Sequence, residues 1–327
     1  MADGARNKAV DITKAIGIIL VVIGHIPGLY NPVWKAIYSF HMPLFFIMAG
    51  AVYTAKEPMQ VIKTSVQKLL LPYIITIGIC VVIAYLFGNT ERVHSFILGL
   101  LFPDGNRFDY TIFAKWPHVG ALWFFPALVC CRTLYSIVNK YCNQYTIITS
   151  AIIQFSAAMV GRYLFNLPFG ILVGSSVLFF FAVGKYVVEN DINRKDIKLL
   201  VLLLLLNIWL LEVKHSSFSI MYFWYKSSTY IIDVFVAISM TWLIYRISKY
   251  LEKSCILNII GRETLLILCC HEIVRQMINN LEYHNISFGQ YEGAAYLIGG
   301  TALLSMFVIG FKHIIIKRKQ TIELCKK

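Results

Sequence analysis

The sequence predicts an all-α integral membrane protein, a bundle of about ten transmembrane helices that forms a single domain over residues 1–327. Of its 327 residues, 58% are hydrophobic and 14% are charged, whereas soluble domains have about 45–50% apolar and about 25% charged residues. The mean hydropathy is +0.67. The apolar runs are continuous and lack the two-residue alternation of membrane β-strands, so we expect helices.

The predicted helices follow one another along the whole chain, and all but one are apolar runs long enough for a hydrocarbon core of about 30 Å. They are predicted at 12–30, 36–54, 69–88, 119–137, 146–165, 170–188, 199–213, 228–247, 256–278 and 292–311. The run at 199–213 is short, and we count it because flanking residues can snorkel to the interface. The interval 89–118 has an apolar centre and the turn-forming run PDGN, which predicts an interfacial or re-entrant piece.

Positive charge is distributed unevenly between the two sides of the predicted bundle. If the N-terminus is cytoplasmic, the cytoplasmic segments carry 21 of the 30 Lys and Arg residues and the outer segments carry 8. Because cytoplasmic loops are enriched in Lys and Arg, both the short N-terminus 1–11 and the basic tail 312–327 are predicted to be cytoplasmic. We therefore attribute the net charge of +13 to topology and anionic lipids, with no nucleic-acid partner. The expected location is the inner (plasma) membrane of a bacterium.

The first predicted helix keeps polar residues that a simple anchor does not need. Its stretch DITKAIGIILVVIGH, at 11–25, contains Asp11, Lys14 and His25. Eleven helical residues turn about 1100° and rise about 16 Å, so Lys14 and His25 share one face at different depths. Asp11 lies one turn before Lys14 and can pair with it.

Two interpretations of this face remain open. In the first, Asp11 and Lys14 are boundary charges that snorkel, and His25 is a histidine satisfied by a neighbouring helix. In the second, the face lines a cavity, because ionisable groups inside membrane helices are costly and usually border a functional pathway. An imidazole there is suited to accepting a proton near neutral pH.

The same residues resemble the opening of membrane acyltransferase family three, which contains fucose 4-O-acetylase-like and O-antigen O-acetyltransferase-like proteins. That family has a basic residue, ten intervening residues and a histidine in its first helix, a spacing that Lys14 and His25 match. Its F-F-x-x-S-G segment is similar to FFIMAG at 45–50, with Ala49 in the serine position. Two further stretches are similar to later segments of the family: LWFFPAL at 122–128 and IGRETLLILCCH at 260–271.

The resemblance implies a membrane-embedded O-acyltransferase, which transfers acyl groups other than aminoacyl groups. The implied reaction takes acetyl, or another acyl group, from acyl-CoA to a hydroxyl of a cell-surface glycan or lipid-linked sugar. It implies His25 and Lys14 as catalytic residues, and we add Asp11 to them because it can pair with Lys14. His25 would either deprotonate the acceptor hydroxyl or carry the acyl group, and the sequence leaves both routes open. Acetyl-CoA is then a donor substrate, and no bound cofactor is expected.

Five further polar or aromatic residues are predicted to contact substrate. His41 precedes Met42 and Pro43 at the outer entry of the second predicted helix, near the same side as His25, and either helps bind the acceptor or is a structural histidine at the interface. Trp123 either packs in the bundle or offers a ring on which a sugar can stack. Arg262 is placed to attract the phosphates of the donor, with Glu263 beside it. His271 lies toward the outer end of the ninth predicted helix.

No metal site is predicted, because the histidines within the apolar runs have no ligand spacing and no inward carboxylate or thiol cluster joins them. The alternative function is a multi-pass transporter or flippase of a lipid-linked glycan. Against it, the chain shows no repeated halves with matching interrupted helices. A membrane sensor or assembly factor is a third class, and it would leave the alignment of Lys14 with His25 unexplained.

Overall fold

A computed structural model of the chain describes residues 7–103, 119–163, 167–189, 229–286 and 288–325, with single positions between 201 and 223. These residues form helices and the turns between them, which confirms the predicted all-α class. The α-helices are α1 (Lys8–Gly24), α2 (Asn31–Tyr38), α3 (His41–Ala51), α4 (Pro58–Ser65), α5 (Leu71–Leu86), α6 (Thr90–Gly99), α7 (Phe124–Cys142), α8 (Thr146–Tyr163), α9 (Ile171–Ser175), α10 (Leu178–Glu189), α11 (Tyr230–Tyr250), α12 (Cys255–Arg262), α13 (Thr264–Tyr283) and α14 (Gln290–Cys325). A π-helical turn, Val66–Leu70, joins α4 to α5, and a 3-10 turn, Gly120–Trp123, precedes α7.

Within the described ranges, four helical stretches are long and apolar enough to cross a membrane. They are Pro58–Leu86, Gly120–Tyr163, Tyr230–Tyr250 and Gln290–Ile314. Pro168–Ser175 and Leu178–Tyr186 make a fifth if this pair, bent by 55°, is one span. The chain is therefore an integral membrane protein by the length and composition of these helices. The ten-helix topology and the cytoplasmic placement of both termini stay predictions.

Three predicted spans are each divided into two helices. One is the span predicted at 170–188, which the bent pair α9 and α10 divides. The span predicted at 36–54 breaks at Ser39 and Phe40, between α2 and α3, and the span predicted at 256–278 breaks at Glu263, between α12 and α13. The predicted span 199–213 lies largely outside the described residues. So do 104–118 of the predicted re-entrant interval and 190–198 of the predicted cytoplasmic loop.

Helix α1 lies in the middle of the bundle and packs against α3, α11, α12 and α13. A helix that is apolar on all sides is expected to be buried on all sides, and only Lys8 and Ile19 of α1 are exposed. The Thr13 hydroxyl lies 3.0 Å from Ser248 Oγ of α11, and this hydrogen bond joins the two helices. Apart from Lys8 and Ile19, the side chains of α1 therefore face other parts of the protein or the cavity described below.

Glycines allow the helices around α1 to approach one another at backbone distance. A Cβ atom at Gly50 of α3 would overlap the Phe181 carbonyl of α10, and one at Gly184 of α10 would overlap the Ile47 carbonyl of α3. Small residues of this kind are the usual means by which membrane helices pack closely. The glycine of the FFIMAG run thus has a packing role between α3 and α10.

A methyl group at Gly184 should destabilise the bundle. Ala in place of Gly inside a helix normally stabilises by about 0.5–1 kcal/mol. At Gly184 the overlap with Ile47 forces the helices apart, and overpacking of this kind costs about 1–3 kcal/mol. Thermal unfolding in one detergent should show a lower midpoint for Gly184→Ala. The matched control is Gly299→Ala, because a Cβ at Gly299 of α14 meets nothing within 4 Å. Equal unfolding midpoints for the two variants would contradict this packing role.

Candidate active site

A cavity of about 500 Å3 runs along one face of α1, within the range of small-molecule sites. α1 contributes Lys14, Ile18, Val21, Gly24 and His25 to its wall, a set with helical spacing. The other walls come mainly from α2, α3, the turn before α7, α7 itself, α12 and α13. Lys14 and His25 therefore face one space, as the periodicity of the sequence predicts. We call the two ends of the cavity the Lys14 end and the His25 end.

The imidazole of His25 is held in one orientation. Its Nδ1 lies 2.7 Å from the Val21 carbonyl oxygen. A carbonyl oxygen only accepts, so Nδ1 carries the hydrogen and donates it. In the neutral ring the lone pair is then on Nε2, the atom that can take a proton or attack an acyl group. The residue follows the last residue of α1 and is half-buried.

His41 has the same hydrogen-bonding arrangement and lines the same cavity. Its Nδ1 lies 2.9 Å from the Ile37 carbonyl oxygen, so its Nε2 also holds the lone pair in the neutral ring. Tyr38 lies between the two histidines, with ring centroids 4.6 Å from His41 and 6.4 Å from His25. Trp34 stacks on Tyr38 at 4.1 Å. The His25 end is therefore built from imidazole and aromatic rings, with Trp123 also in its wall.

His271 lies next to His25 and is fully buried. The centroids of the two rings are 5.0 Å apart, and the rings are tilted by 57°. Neither ring nitrogen of His271 has a hydrogen-bond partner within the described part of the chain. An unsatisfied buried polar group costs about 1–3 kcal/mol, and such groups in native proteins call for an explanation. This position next to His25 makes His271 part of the site although it does not line the cavity.

A buried ion pair fixes the His25 end from α13. Glu272 is fully buried, and its carboxylate accepts hydrogen bonds from Arg275 Nη2 at 2.9 Å and from the Ala121 backbone N–H at 2.9 Å. Gln276 also donates to it. The backbone at Gly120 has φ +60°, and a Cβ there would overlap both side chains of the ion pair, so only glycine fits this turn. Glu272 thereby holds the turn before α7 against α13 and directs Arg275 to the cavity wall.

At the Lys14 end, one carboxylate lies near two cations. Asp11 is 3% exposed, and its Oδ1 lies 2.8 Å from Lys14 Nζ. Arg262 Nε lies 4.0 Å from the other carboxylate oxygen. A Cβ at Gly261 would overlap the Asp11 carbonyl, so α12 lies directly on α1 and places Arg262 beside Asp11. Lys14 and Arg262 line the cavity, and Asp11 lies behind them.

The structure brings most of the predicted site residues to this cavity. Lys14, His25, His41, Trp123 and Arg262 line it, whereas Asp11 and His271 lie directly behind lining residues. The carboxylate of Glu263 instead accepts hydrogen bonds from Lys312 Nζ at 2.7 and 2.6 Å, and Glu263 is not in the cavity wall. The catalytic and substrate-binding roles of these residues stay predictions. Ala49, in the position of the family's serine, also lines the cavity.

Among the wall residues that sequence reasoning missed, four carry charge or a polar aromatic ring: Trp34, Tyr38, Arg132 and Arg275. Two of them had a signal in the sequence. Arg275 follows His271 by four residues and so shares its helix face, and Arg132 is an arginine within an apolar run. The two aromatic residues belong to α2, whose separation from α3 was not predicted.

The charges of the wall are of one sign. The described wall residues include four cations, Lys14, Arg132, Arg262 and Arg275, and no Asp or Glu. Among the described residues, no group of three His, Cys, Asp or Glu side chains is placed to hold a metal ion. The electrostatics of this wall favour an anionic ligand.

Comparisons with known proteins point in the same direction. A family model described as "Acyltransferase domain" matches residues 7–311, nearly the whole chain. The chain is also similar to "Nodulation protein NolL" of Sinorhizobium fredii (strain NBRC 101917 / NGR234), with 44% identity over 59 residues. That alignment covers 14% of this chain and 16% of the relative, so the matched stretch spans about a sixth of that protein's length. No solved structure matches the chain.

Removing the charge of Glu272 should unfold the His25 end. In Glu272→Gln, Arg275 would remain largely buried without a carboxylate, and breaking one partner of a buried pair costs about 3–5 kcal/mol. Thermal unfolding of the purified protein in one detergent measures the loss. Glu57→Gln is the matched control, because Glu57 pairs with Lys140 on an exposed surface where such pairs contribute little. A Glu272→Gln protein as stable as this control would show that the buried pair does not hold the fold.

Proposed function

The chain belongs to the acyltransferase 3 family of membrane acyltransferases, and from this premise we propose that it transfers acetyl from acetyl-CoA to a hydroxyl of a cell-surface glycan or lipid-linked sugar. The family makes the chain an enzyme that acts on acyl groups, which argues against the transporter alternative. The observation that carries the finer proposal is the single cavity with His25 at one end and cations at the other.

In this proposal the acyl-CoA donor binds with its phosphates at the Lys14 end of the cavity. CoA is a cytoplasmic polyanion, and Lys14 and Arg262 offer positive charge in a wall that has no described carboxylate. The bias of Lys and Arg supports placing this end toward the cytoplasm. Between Lys14 and His25, about 16 Å of helix gives the arm of the donor room to carry its thioester toward the imidazole. Asp11 orients Lys14 through their 2.8 Å ion pair.

The acceptor sugar occupies the His25 end. Trp34, Tyr38 and Trp123 offer rings against which the C–H faces of a sugar can pack, since aromatic faces carry partial negative charge. His41 Nε2 is available to accept a hydrogen bond from a second sugar hydroxyl. Glu263, which pairs with Lys312 outside the cavity, has no part in this proposal.

Transfer then requires one proton acceptor at His25. His25 Nε2 takes the proton of the acceptor hydroxyl while the oxygen attacks the thioester carbon, the C–O bond forms and the C–S bond breaks. The same proton then goes to the CoA thiolate, so CoA leaves as the thiol. In a two-step route, the same Nε2 lone pair attacks the thioester carbon, the C–S bond breaks and CoA leaves as the thiolate. The acceptor oxygen then takes the acyl group from the imidazole, the C–N bond breaks, and the hydroxyl proton goes to the thiolate. Both routes use the Nδ1–H bond to Val21 to keep that lone pair in the cavity.

Turnover of acetyl-CoA by the purified protein tests the proposed function. Protein in lipid nanodiscs should release the free CoA thiol from acetyl-CoA, faster when the acceptor glycan is added. Deletion of the gene in the host should remove an acetyl group from a surface glycan, measured by mass spectrometry. A protein that releases no CoA, from a host whose glycans are unchanged by the deletion, would refute the proposal.

Replacement of His25 should abolish transfer while the protein still folds. General base catalysis contributes about 10²–10⁴-fold to rate, so His25→Ala should lose at least about 10²-fold in kcat. Insertion should persist, because the change removes a polar group from an apolar span. His313→Ala is the control, since His313 is exposed on α14. Activity per folded molecule, with thermal stability alongside, is the measurement. A His25→Ala enzyme within about threefold of wild-type turnover would remove His25 from the mechanism.

A further inference from the structure

Arg132 is a cation of the cavity wall that has no carboxylate partner among the described residues. It lies on α7 in the run FFPALVCCRTLYSIV, at 124–138, and it is half-buried. Its Nε is buried and has no hydrogen-bond partner within the described residues. No described carboxylate forms an ion pair with its guanidinium. An arginine in such surroundings is costly unless an anion completes it.

The other three cavity cations differ from Arg132 in this respect. Lys14 and Arg262 lie near Asp11, at 2.8 and 4.0 Å, and Arg275 is held by Glu272 at 2.9 Å. Each of the three therefore has a described carboxylate within 4.0 Å, although Lys14 and Arg262 share that of Asp11. Among the described residues no carboxylate balances Arg132, and the cavity that it lines gives an anion access to it.

Helix packing places Arg132 at the Lys14 end. α1 and α3 run antiparallel, because Gly24 contacts Tyr38 near the start of α3, whereas Gly17 contacts Leu44 further along it. The end of α3 is therefore level with the start of α1. Arg132 interacts electrostatically with Tyr53, which follows α3 by two residues. Arg132 thus lies far from His25, where the non-reacting part of a long donor would be.

We propose that Arg132 binds a phosphate group of the acyl-CoA donor. This inference rests on the proposed function and adds to it a residue that recognises the donor. The planar guanidinium can give a phosphate two parallel charge-assisted hydrogen bonds. A phosphate held there leaves the acyl arm to run along the Ile18 and Val21 face of α1 to His25. Arg132 binds substrate at a distance from the reacting atoms, so its loss affects affinity and not the chemical step.

The test compares donors with and without phosphate in matched variants. Arg132→Gln removes the charge, and Arg132→Lys keeps the charge but loses the planar guanidinium that can give two parallel hydrogen bonds. Arg246→Gln is the control. Arg246 is also half-buried and lies at the same end, two residues before the Ser248 that bonds Thr13, but it is not in the cavity wall. Calorimetry measures CoA binding in nanodiscs, and KM and kcat are measured separately with acetyl-CoA and with acetyl-pantetheine, which has no phosphate.

Loss of one charged hydrogen-bonding group should weaken CoA binding and raise the KM for acetyl-CoA by about 10–100-fold in Arg132→Gln. The Lys variant should fall between Gln and wild type. The kcat for acetyl-CoA and the KM for acetyl-pantetheine should stay within about threefold of wild type. Arg246→Gln should bind CoA as wild type does.

Three results would overturn the inference. The first is an Arg132→Gln protein that binds CoA as tightly as wild type. If phosphatidylglycerol also no longer raises the unfolding midpoint of this variant, the anion at Arg132 is a lipid headgroup. The second is an equal loss with acetyl-pantetheine. The third result needs no variant, so it applies even if the Arg132 variants fail to fold. It is a wild-type protein that binds pantetheine, which has no phosphate, as tightly as CoA. A wild type that binds CoA through Arg132 but releases none from acetyl-CoA, in a host whose glycans are unchanged by the deletion, would refute the proposed function and leave this inference standing.

Discussion

Two buried ion pairs set the ends of the cavity on which the rest of the structure depends. Asp11 holds Lys14 at 2.8 Å, and Glu272 holds Arg275 at 2.9 Å. Charge in an apolar bundle is tolerated only when it is paired. Each carboxylate lies behind the wall, so each pair presents its cation to the cavity and hides its anion. The result is a wall that carries positive charge at both ends without the full cost of isolated charges.

Close helix contacts allow these pairs to form. Asp11 meets Arg262 because Gly261 brings α12 onto α1, and Glu272 meets the Ala121 N–H because Gly120 leaves room for it. The position of a functional side chain thus depends on residues with no side chain. This dependence explains why substitutions remote from the reacting atoms can alter such a site: a shift of one helix moves a cation and its partner apart.

The snorkelling interpretation of the first helix fits the structure poorly. Asp11 is 3% exposed and Lys14 lines a cavity inside the bundle, whereas snorkelling charges reach the membrane surface. The other half of that interpretation holds in part, since the His25 ring does bond a carbonyl of its own helix. That bond leaves Nε2 with its lone pair, so local satisfaction and proton transfer are compatible. The chain belongs to the acyltransferase 3 family, and acyl transfer is a reaction that uses a nitrogen with a free lone pair.

The sequence by itself determined the all-α membrane class, the family, and the shared face of Lys14 and His25, because hydropathy and the 3.6-residue period act within one segment. It also indicated five residues that line the cavity, namely Lys14, His25, His41, Trp123 and Arg262. Only the tertiary structure decided that Glu263 pairs with Lys312, that His271 packs on His25, and that Arg132 faces the cavity with no carboxylate of the described residues paired to it. These facts depend on which helices touch and at what depth. Glycine contacts between segments far apart in the chain fix both, and no local pattern encodes the partner of such a contact.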